Sequence, residues 1–306
     1  MRRPTHAVLL TLIALAVLAV GGTTAAQAKV AIGIADNKTD MFTDPRFTAL
    51  HVKHVRVMVP YDALRDARLR TWLDGWMAGA KAAGTAPLVT FTRSQRRASY
   101  NPSAAQMARS LKDLRRRYPF VREFATWNEA NINKQPATVA RWWNAMRRAC
   151  PTCTILGADL LDRNNVGTWA QRFVKAAKRT PKVWGLHNYD DANLLRTTGT
   201  RKLLTSVRGA VWFTETGGVV ARNNNSAVRF PTGAQHAAKA TKYVFSTLAK
   251  LSPRVQRVYI YHWNTGLSSR SDNAAARTWD SGLIGPDDKP RPALAVIQGL
   301  MGVKAG

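Results

Sequence analysis

The sequence predicts an α/β chain folded as a single (β/α)8 barrel of the TIM type, residues 29–306, behind an N-terminal segment of separate character. Three observations predict it. Short β-branched runs alternate eight times with longer amphipathic ones, which implies a parallel sheet joined by helical crossovers. The strands are near-continuous apolar runs, as in a sheet buried on both faces. No glycine fingerprint of a dinucleotide-binding sheet is present, so a closed barrel is favoured over an open, doubly wound one.

The elements follow in order. Val30–Ala35 reads as the first strand, ending in Asp36-Asn37. Asp44-Pro45 opens a short helix with proline in its first turn. His54–Val59 is the second strand, closed by Pro60. Leu69–Ala83 is a helix with Trp72, Trp76 and Ala80 on one face, stopped by Gly84. Pro87–Phe91 is the third strand. Ser103 caps a helix to Tyr118 whose apolar stripe is Met107, Leu111 and Leu114. Val121–Trp127 is the fourth strand, followed by a helix over Pro136–Ala149. Thr154–Leu160 and a helix over Val166–Lys178 make the fifth pair. Val183–Leu186, ending in His187-Asn188-Tyr189, and a weaker helix over Thr200–Val207 make the sixth. Ala210–Thr214, ending in Glu215, precedes a polar loop at 221–232 and a long helix over Gly233–Leu251. Val255–His262 and Pro292–Met301 complete the eighth pair.

The N-terminus has the three parts of a secretory signal: basic Met1-Arg2-Arg3, an apolar run from Ala7 to Val20, and the small-x-small Ala26-Gln27-Ala28. Cleavage near Ala28 and a secreted, extracellular protein are expected; an uncleaved anchor is the other reading. No later stretch is long enough to span a membrane. The formal charge is +28 and falls by the two charges of Arg2 and Arg3 on cleavage. Such an excess favours acidic partners, an anionic polysaccharide or a cell wall above all. The competing reading is a solvated, arginine-rich surface. No helix-turn-helix, RNA-binding or zinc-finger signature supports nucleic acid. Cys150 and Cys153 are the two cysteines; in an exported chain they are expected to form a local disulfide. No motif supplies further metal ligands, and neither a metal nor a cofactor is expected. A monomer is expected.

In such a barrel the chemistry gathers at the C-terminal ends of the strands. The residues there are Asp36, Asn37, Arg56, Thr92, Arg93, Asn128, Glu129, Asp159, His187, Tyr189, Glu215, Trp263 and Asn264. Taken alone, Asn128 and Asn131 could cap the next helix with Glu129 as a first-turn acid. Glu215 at a second strand end changes that reading. Two facing carboxylates are the minimum equipment for glycoside hydrolysis, one as proton donor and one as nucleophile or base. Asp36 and Asp159 also read as helix-capping acids. Asp190-Asp191 reads as an extension of the site or as loop solvation. Glu123, His51, His54 and one or both of Trp142-Trp143 read as structural.

Asn128-Glu129, Glu215 within Trp212–Gly217, Arg56, His187-Asn188-Tyr189, Trp263 and the Gly282–Pro292 tail resemble glycoside hydrolase clan A, the retaining barrel enzymes that include cellulases, mannanases and β-xylosidases. The resemblance spans the mature chain in motif order. It departs on strand three, where Thr90-Phe91-Thr92-Arg93 lacks a histidine frequent in the cellulase branch. It implies Glu129 as acid/base, Glu215 as nucleophile with the Tyr189 hydroxyl hydrogen-bonded to it, and Arg56, Asn128, His187, Tyr189 and Trp263 as substrate-binding residues. Arg56 near Glu215 is expected to hold it ionised, and Asp36, from its strand-end place, is a further substrate-binding candidate. The implied activity is cleavage of β-linked glycosidic bonds by double displacement, with the carboxyls about 5–5.5 Å apart. A barrel that binds glycan or cell wall through its basic surface without cleaving it is the alternative.

Overall fold

A computed structural model describes residues 30–222, 229–265 and 279–303; the expected signal segment, 1–28, lies outside the described residues. The chain runs β1 (Ala31–Ala35), α1 (Pro45–Ala49), β2 (His54–Pro60), α2 (Ala67–Ala82), β3 (Ala86–Thr92), α3 (Ala104–Arg117), β4 (Glu123–Ala125), α4 (Ala130–Asn133), α5 (Pro136–Ala149), β5 (Thr154–Leu156) and β6 (Asp159–Leu161). It continues through α6 (Val166–Ala177), β7 (Val183–His187), α7 (Tyr189–Asn193), α8 (Thr198–Ser206), β8 (Ala210–Thr216), β9 (Ala221–Arg222), α9 (Ala234–Ser246), β10 (Val255–Tyr261), β11 (Trp279–Asp280) and α10 (Pro292–Met301).

Nine of the strands form one parallel sheet in the order β5-β4-β3-β2-β1-β10-β8-β7-β6. Its two ends are consecutive in the chain. They are the two halves of the one predicted fifth strand, interrupted at Gly157-Ala158. Gly157 N–H donates to Val183 O and Asp159 N–H to Trp127 O, each at 3.0 Å. The broken strand therefore bonds to a neighbour on either side, and the sheet closes into a barrel. The break is local: a Cβ on Gly157 would stand 2.8 Å from Pro181 and 3.0 Å from Trp184.

Local chemistry accounts for the helix ends. The Ser103 side chain accepts from Gln106 N–H while Gln106 accepts from Ser103 N–H, a full capping box. Asp44 and Asp66 cap α1 and α2 through Arg46 N–H and Leu69 N–H. The long predicted helix after the seventh barrel strand ends at Ser246, and a 3-10 turn, Leu248–Lys250, follows. Cys150 and Cys153 are disulfide-bonded in the α5–β5 loop, with Cα atoms 5.4 Å apart.

Side chains alternate across each strand, and two apolar clusters result. The larger packs the sheet's outer face against the helices and includes Val57, Phe91, Phe124, Trp184, Phe213 and Ile260. Trp142 and Trp143 belong to it; their indole N–H groups are satisfied by Pro102 O and Ile155 O. The smaller, Ala35, Leu88, Ala125, Leu156, Val183, Trp212 and Tyr259, fills the barrel interior. Below it Arg257 lies 3.8 Å over the Trp212 ring and pairs with Glu123 at 2.6 Å, as expected for a structural Glu123. Above it the interior turns polar, and there the candidate site begins. No helix among the described residues is long and apolar enough to cross a membrane.

Candidate active site

Arg56 points inward from β2 and is 1% exposed. A guanidinium cannot shed its charge, so burial at this depth requires a full set of acceptors. It has them. Its Nη1 donates to Glu215 Oε2 at 2.8 Å. Its Nη2 donates to Asp159 Oδ2 at 2.8 Å and Asn128 Oδ1 at 2.9 Å, and its Nε to Thr90 Oγ1 at 3.0 Å. Asp159 also accepts from the Thr90 hydroxyl on one oxygen and the Thr214 hydroxyl on the other, each at 2.9 Å. Burial alone would push the Asp159 carboxyl up; the Arg56 charge and the bonds to Arg56 and His187 outweigh it and hold it well below the usual carboxylate range. Gly185 on β7 leaves the space this carboxylate needs, since a Cβ there would stand 1.9 Å from Asp159 Oδ1.

Above this layer stand the two glutamates. Glu215, near the end of β8, is 7% exposed. Tyr189, the first residue of α7, donates its hydroxyl to Glu215 Oε1 at 3.0 Å. Burial and the neighbouring Glu215 keep that phenol protonated far above its ordinary range. With Arg56 on Oε2 and Tyr189 on Oε1, both oxygens of Glu215 are held. Glu129 follows β4 in the left-handed region, φ 47°, ψ 46°, a conformation that costs a non-glycine residue about 1–2 kcal/mol. Its backbone is fixed from both sides: Asn128 N–H donates to Phe91 O at 2.8 Å, and Asn131 is tied to Leu161 and Asn165. Its side chain remains about one-third exposed.

His187 links the two. Its Nδ1 lies 3.2 Å from Glu129 Oε1 and 3.7 Å from Glu215 Oε2. Burial pushes the imidazole down, but Glu215, Asp159 and Glu129 together outweigh it and raise it to about 9. One donor atom each from Glu129, His187 and Glu215 lie within 4.8 Å of one another. Among the described residues this trio is the one group that could gather on a metal ion. The Arg56 guanidinium already on Glu215 opposes a second cation there.

The glutamates face a cleft of about 650 Å³. Several expected substrate-binding residues have other positions. Arg56 and His187 are buried beneath the glutamates and do not line the cleft; Arg56 bonds Glu215, the place expected for it, and His187 lies between the two carboxylates. Trp263 is fully buried and does not line the cleft either. Its ring packs edge-to-face on Phe47 and its indole N–H donates to Asp44. Asp36 lines the cleft, but its carboxylate is engaged by Lys38 and the Trp263 backbone N–H. Asn128 and Tyr189 do reach the cleft wall. Asp191 is buried and accepts from Gly199 N–H and Thr200 N–H, whereas Asp190 lines the cleft paired with Arg163.

Residues outside the sequence-based set complete the wall. The β8–α9 and β10–α10 loops pair as a two-stranded antiparallel ribbon, β9 with β11. It carries Arg222 and Trp279 to the cleft, where Phe230 joins them. The Arg222 guanidinium lies 4.3 Å from the Phe230 ring centre and 5.5 Å from that of Trp279. No periodicity marks these loops; the aromatic residue of the expected type was there, on a different strand.

No family model and no curated protein sequence matches this chain. Solved structures do. A GH113 beta-1,4-mannanase superposes over 90% of this chain and 99% of its own, with 13% identity and a TM-score of 0.55. The xylanase Xyn10A from Cellvibrio japonicus, as a thermostable mutant, matches over 90% and 98%, with 11% identity and a TM-score of 0.62. A β-glucuronidase from Ruminococcus gnavus matches over 89% of this chain at 10% identity and a TM-score of 0.63, and this chain spans 50% of that longer protein. At these identities the likeness is one of fold: this chain folds as the same (β/α)8 barrel as those structures.

Proposed function

We propose that this protein is a retaining glycoside hydrolase that cleaves β-linked poly- or oligosaccharides, with Glu215 as nucleophile and Glu129 as acid/base. The observation that carries the reading is the carboxylate pair. An oxygen of each side chain lies within 4.8 Å of the other, a spacing in keeping with a retaining pair, whose carboxyls stand about 5–5.5 Å apart. The names of the matching structures, a beta-1,4-mannanase, a xylanase and beta-glucuronidases, agree with a β-linked substrate.

The two glutamates have different surroundings, as the two roles require. Glu215 is nearly buried and held by donors only, Arg56 and Tyr189, which suits an anionic nucleophile aimed at one point. Glu129 is more open and touches one ring nitrogen, which suits a group that must give and take a proton. In the first step Glu215 attacks the anomeric carbon as the bond to the leaving oxygen breaks, and Glu129 gives that oxygen its proton. In the second, Glu129 takes a proton from water, the resulting oxygen bonds to the anomeric carbon, and the ester to Glu215 breaks. Configuration is retained through two inversions. Residues 1–28 carry the proposed export signal, which puts the substrate outside the cell.

The test is hydrolysis of a panel of β-linked oligosaccharides, with the first-formed anomer read by proton NMR. Glu129→Gln should lower kcat about 10²–10⁴-fold, and Glu215→Gln should abolish turnover. Full activity in either variant, or an inverted first product, would overturn the assignment.

A further inference from the structure

A second cleft of about 600 Å³ opens beside the first. The two share Asn37 and Met58 in their walls, so one ridge separates them. That ridge is fixed: Met58 N–H donates to Asn37 Oδ1 at 3.0 Å, and the Trp72 indole N–H donates to Asn37 O at 2.9 Å. Trp72, half-buried, presents an apolar wall to the second cleft. Charge distinguishes the two spaces. The cleft over the glutamates is lined by four acids and three bases, and Lys38 and Arg163 are paired there with Asp36 and Asp190. The second is lined by Arg68 and Arg93 and by no acid. Neither arginine has a carboxylate partner among the described residues; Arg68 donates to the neutral Gln95 at 2.6 Å.

The loop that brings Arg93 and Gln95 here is held in place. Ser94 is fully buried, donates to Asp62 at 2.7 Å, and accepts from Arg96 N–H and Arg97 N–H. Two guanidiniums in one concavity repel each other, and an anion between them removes the repulsion. A guanidinium fork matches a carboxylate in plane and spacing. We infer that the second cleft binds an acidic sugar unit, through its carboxylate, belonging to the same chain whose glycosidic bond lies over Glu129 and Glu215, so that the substrate is an acidic saccharide long enough to cross the ridge. The inference rests on the glycosidase reading for its saccharide, and the cleft's anion preference can be measured apart from it.

The probes are a β-1,4-linked glucuronic acid hexasaccharide and cellohexaose, which share linkage and length and differ in the carboxylates. Binding is measured by calorimetry in the Glu129→Gln background, so that turnover does not intervene. The acidic hexasaccharide should bind about tenfold or more tightly than cellohexaose. In Arg68→Ala/Arg93→Ala that preference should fall to about twofold or less, with cellohexaose affinity and thermal unfolding unchanged. Arg109→Ala/Arg148→Ala removes the same charge from exposed helix positions and should leave the preference intact. Equal affinity for the two probes, a preference that survives Arg68→Ala/Arg93→Ala, or an equal loss in Arg109→Ala/Arg148→Ala would overturn the inference. Hydrolysis by the unmodified enzyme is a separate readout. Absence of any glycoside cleavage with the preference retained would defeat the glycosidase reading and leave the anion cleft standing.

Discussion

Replacing Arg56 by methionine should unfold this barrel several degrees earlier, and the reason lies in what stays behind. The substitution keeps most of the side-chain volume and removes the charge. Asp159, fully buried, then keeps two hydroxyl donors and His187 at 3.6 Å but loses Arg56, its nearer cation at 2.8 Å. Glu215 also loses Arg56, yet it retains Tyr189 and a path to the cleft. Breaking a buried ion pair from one side costs about 3–5 kcal/mol. For a barrel of roughly 280 residues the unfolding entropy is about 0.6 kcal/mol per degree, so Tm should fall by about 5–8 °C. Adding Asp159→Asn to the same chain removes the stranded charge while keeping an acceptor for Thr90 or Thr214, and should restore more than half of the loss. Thermal unfolding by circular dichroism on the single and double variants completes the cycle. An Arg56→Met protein within about 2 °C of the parent, or a double variant no more stable than Arg56→Met, would refute the claim that this charge network holds the upper barrel together.

Two further predictions concern the groups around Glu215. His187 is raised from 6.5 to about 9, so the folded state favours the charged ring. The stability it contributes is fully present below about pH 6.5 and is lost as pH rises through about 9, at a slope of up to about 1.4 kcal/mol per pH unit. Asp162, pushed up to about 8 by burial and by Asp190, drains stability over part of the same range, so the measurement is the difference between the parent and His187→Asn in denaturant midpoints from pH 6 to 10. An unchanged slope in His187→Asn would exclude the ring as the titrating group. Tyr189→Phe removes one hydrogen bond to Glu215, worth about 1.5–3 kcal/mol for a charged acceptor, and should lower Tm by about 2.5–5 °C and kcat/KM about 10–100-fold; an unaltered kcat/KM would show that the phenol does not position Glu215.

The eight-fold alternation was readable because buried parallel strands are apolar runs and their helices carry one apolar stripe each. The α5 and α10 boundaries, Pro136–Ala149 and Pro292–Met301, coincide with the sequence-based ones because proline marks each start. Both glutamates were readable from their place at strand ends. What was not readable depended on closure. Asp159 reads locally as a capping acid; its partner, Arg56, is 103 residues away and meets it only across the barrel interior. Trp263 lies away from the cleft because a strand-end position does not say which face a side chain takes after the strand stops. Its ring turns outward to Phe47, and the cleft's tryptophan is Trp279, from a loop with no pattern to read. The short helices α4 and α7 were also missed, since four or five residues are too few to show a helical period.

Gly185 shows how closely the chemistry of the upper barrel is bound to its scaffold. A glycine inside a strand looks like a weak point, with no side chain to pack and extra backbone freedom to lose. Here the missing methyl is the room that Asp159 occupies, and the Thr214 hydroxyl bonded to that carboxylate is next nearest, 2.7 Å from where a Cβ would be. The smallest possible enlargement at this position would expel a charge, and that charge holds the arginine that holds the nucleophile candidate. Three strands are thereby committed to one another's residues: none of β2, β7 or the second half of the fifth barrel strand can change at these positions alone. A lineage that altered the sugar would be free to rebuild the loops of the β9–β11 ribbon and the second cleft, while the layer beneath them could change only as a set.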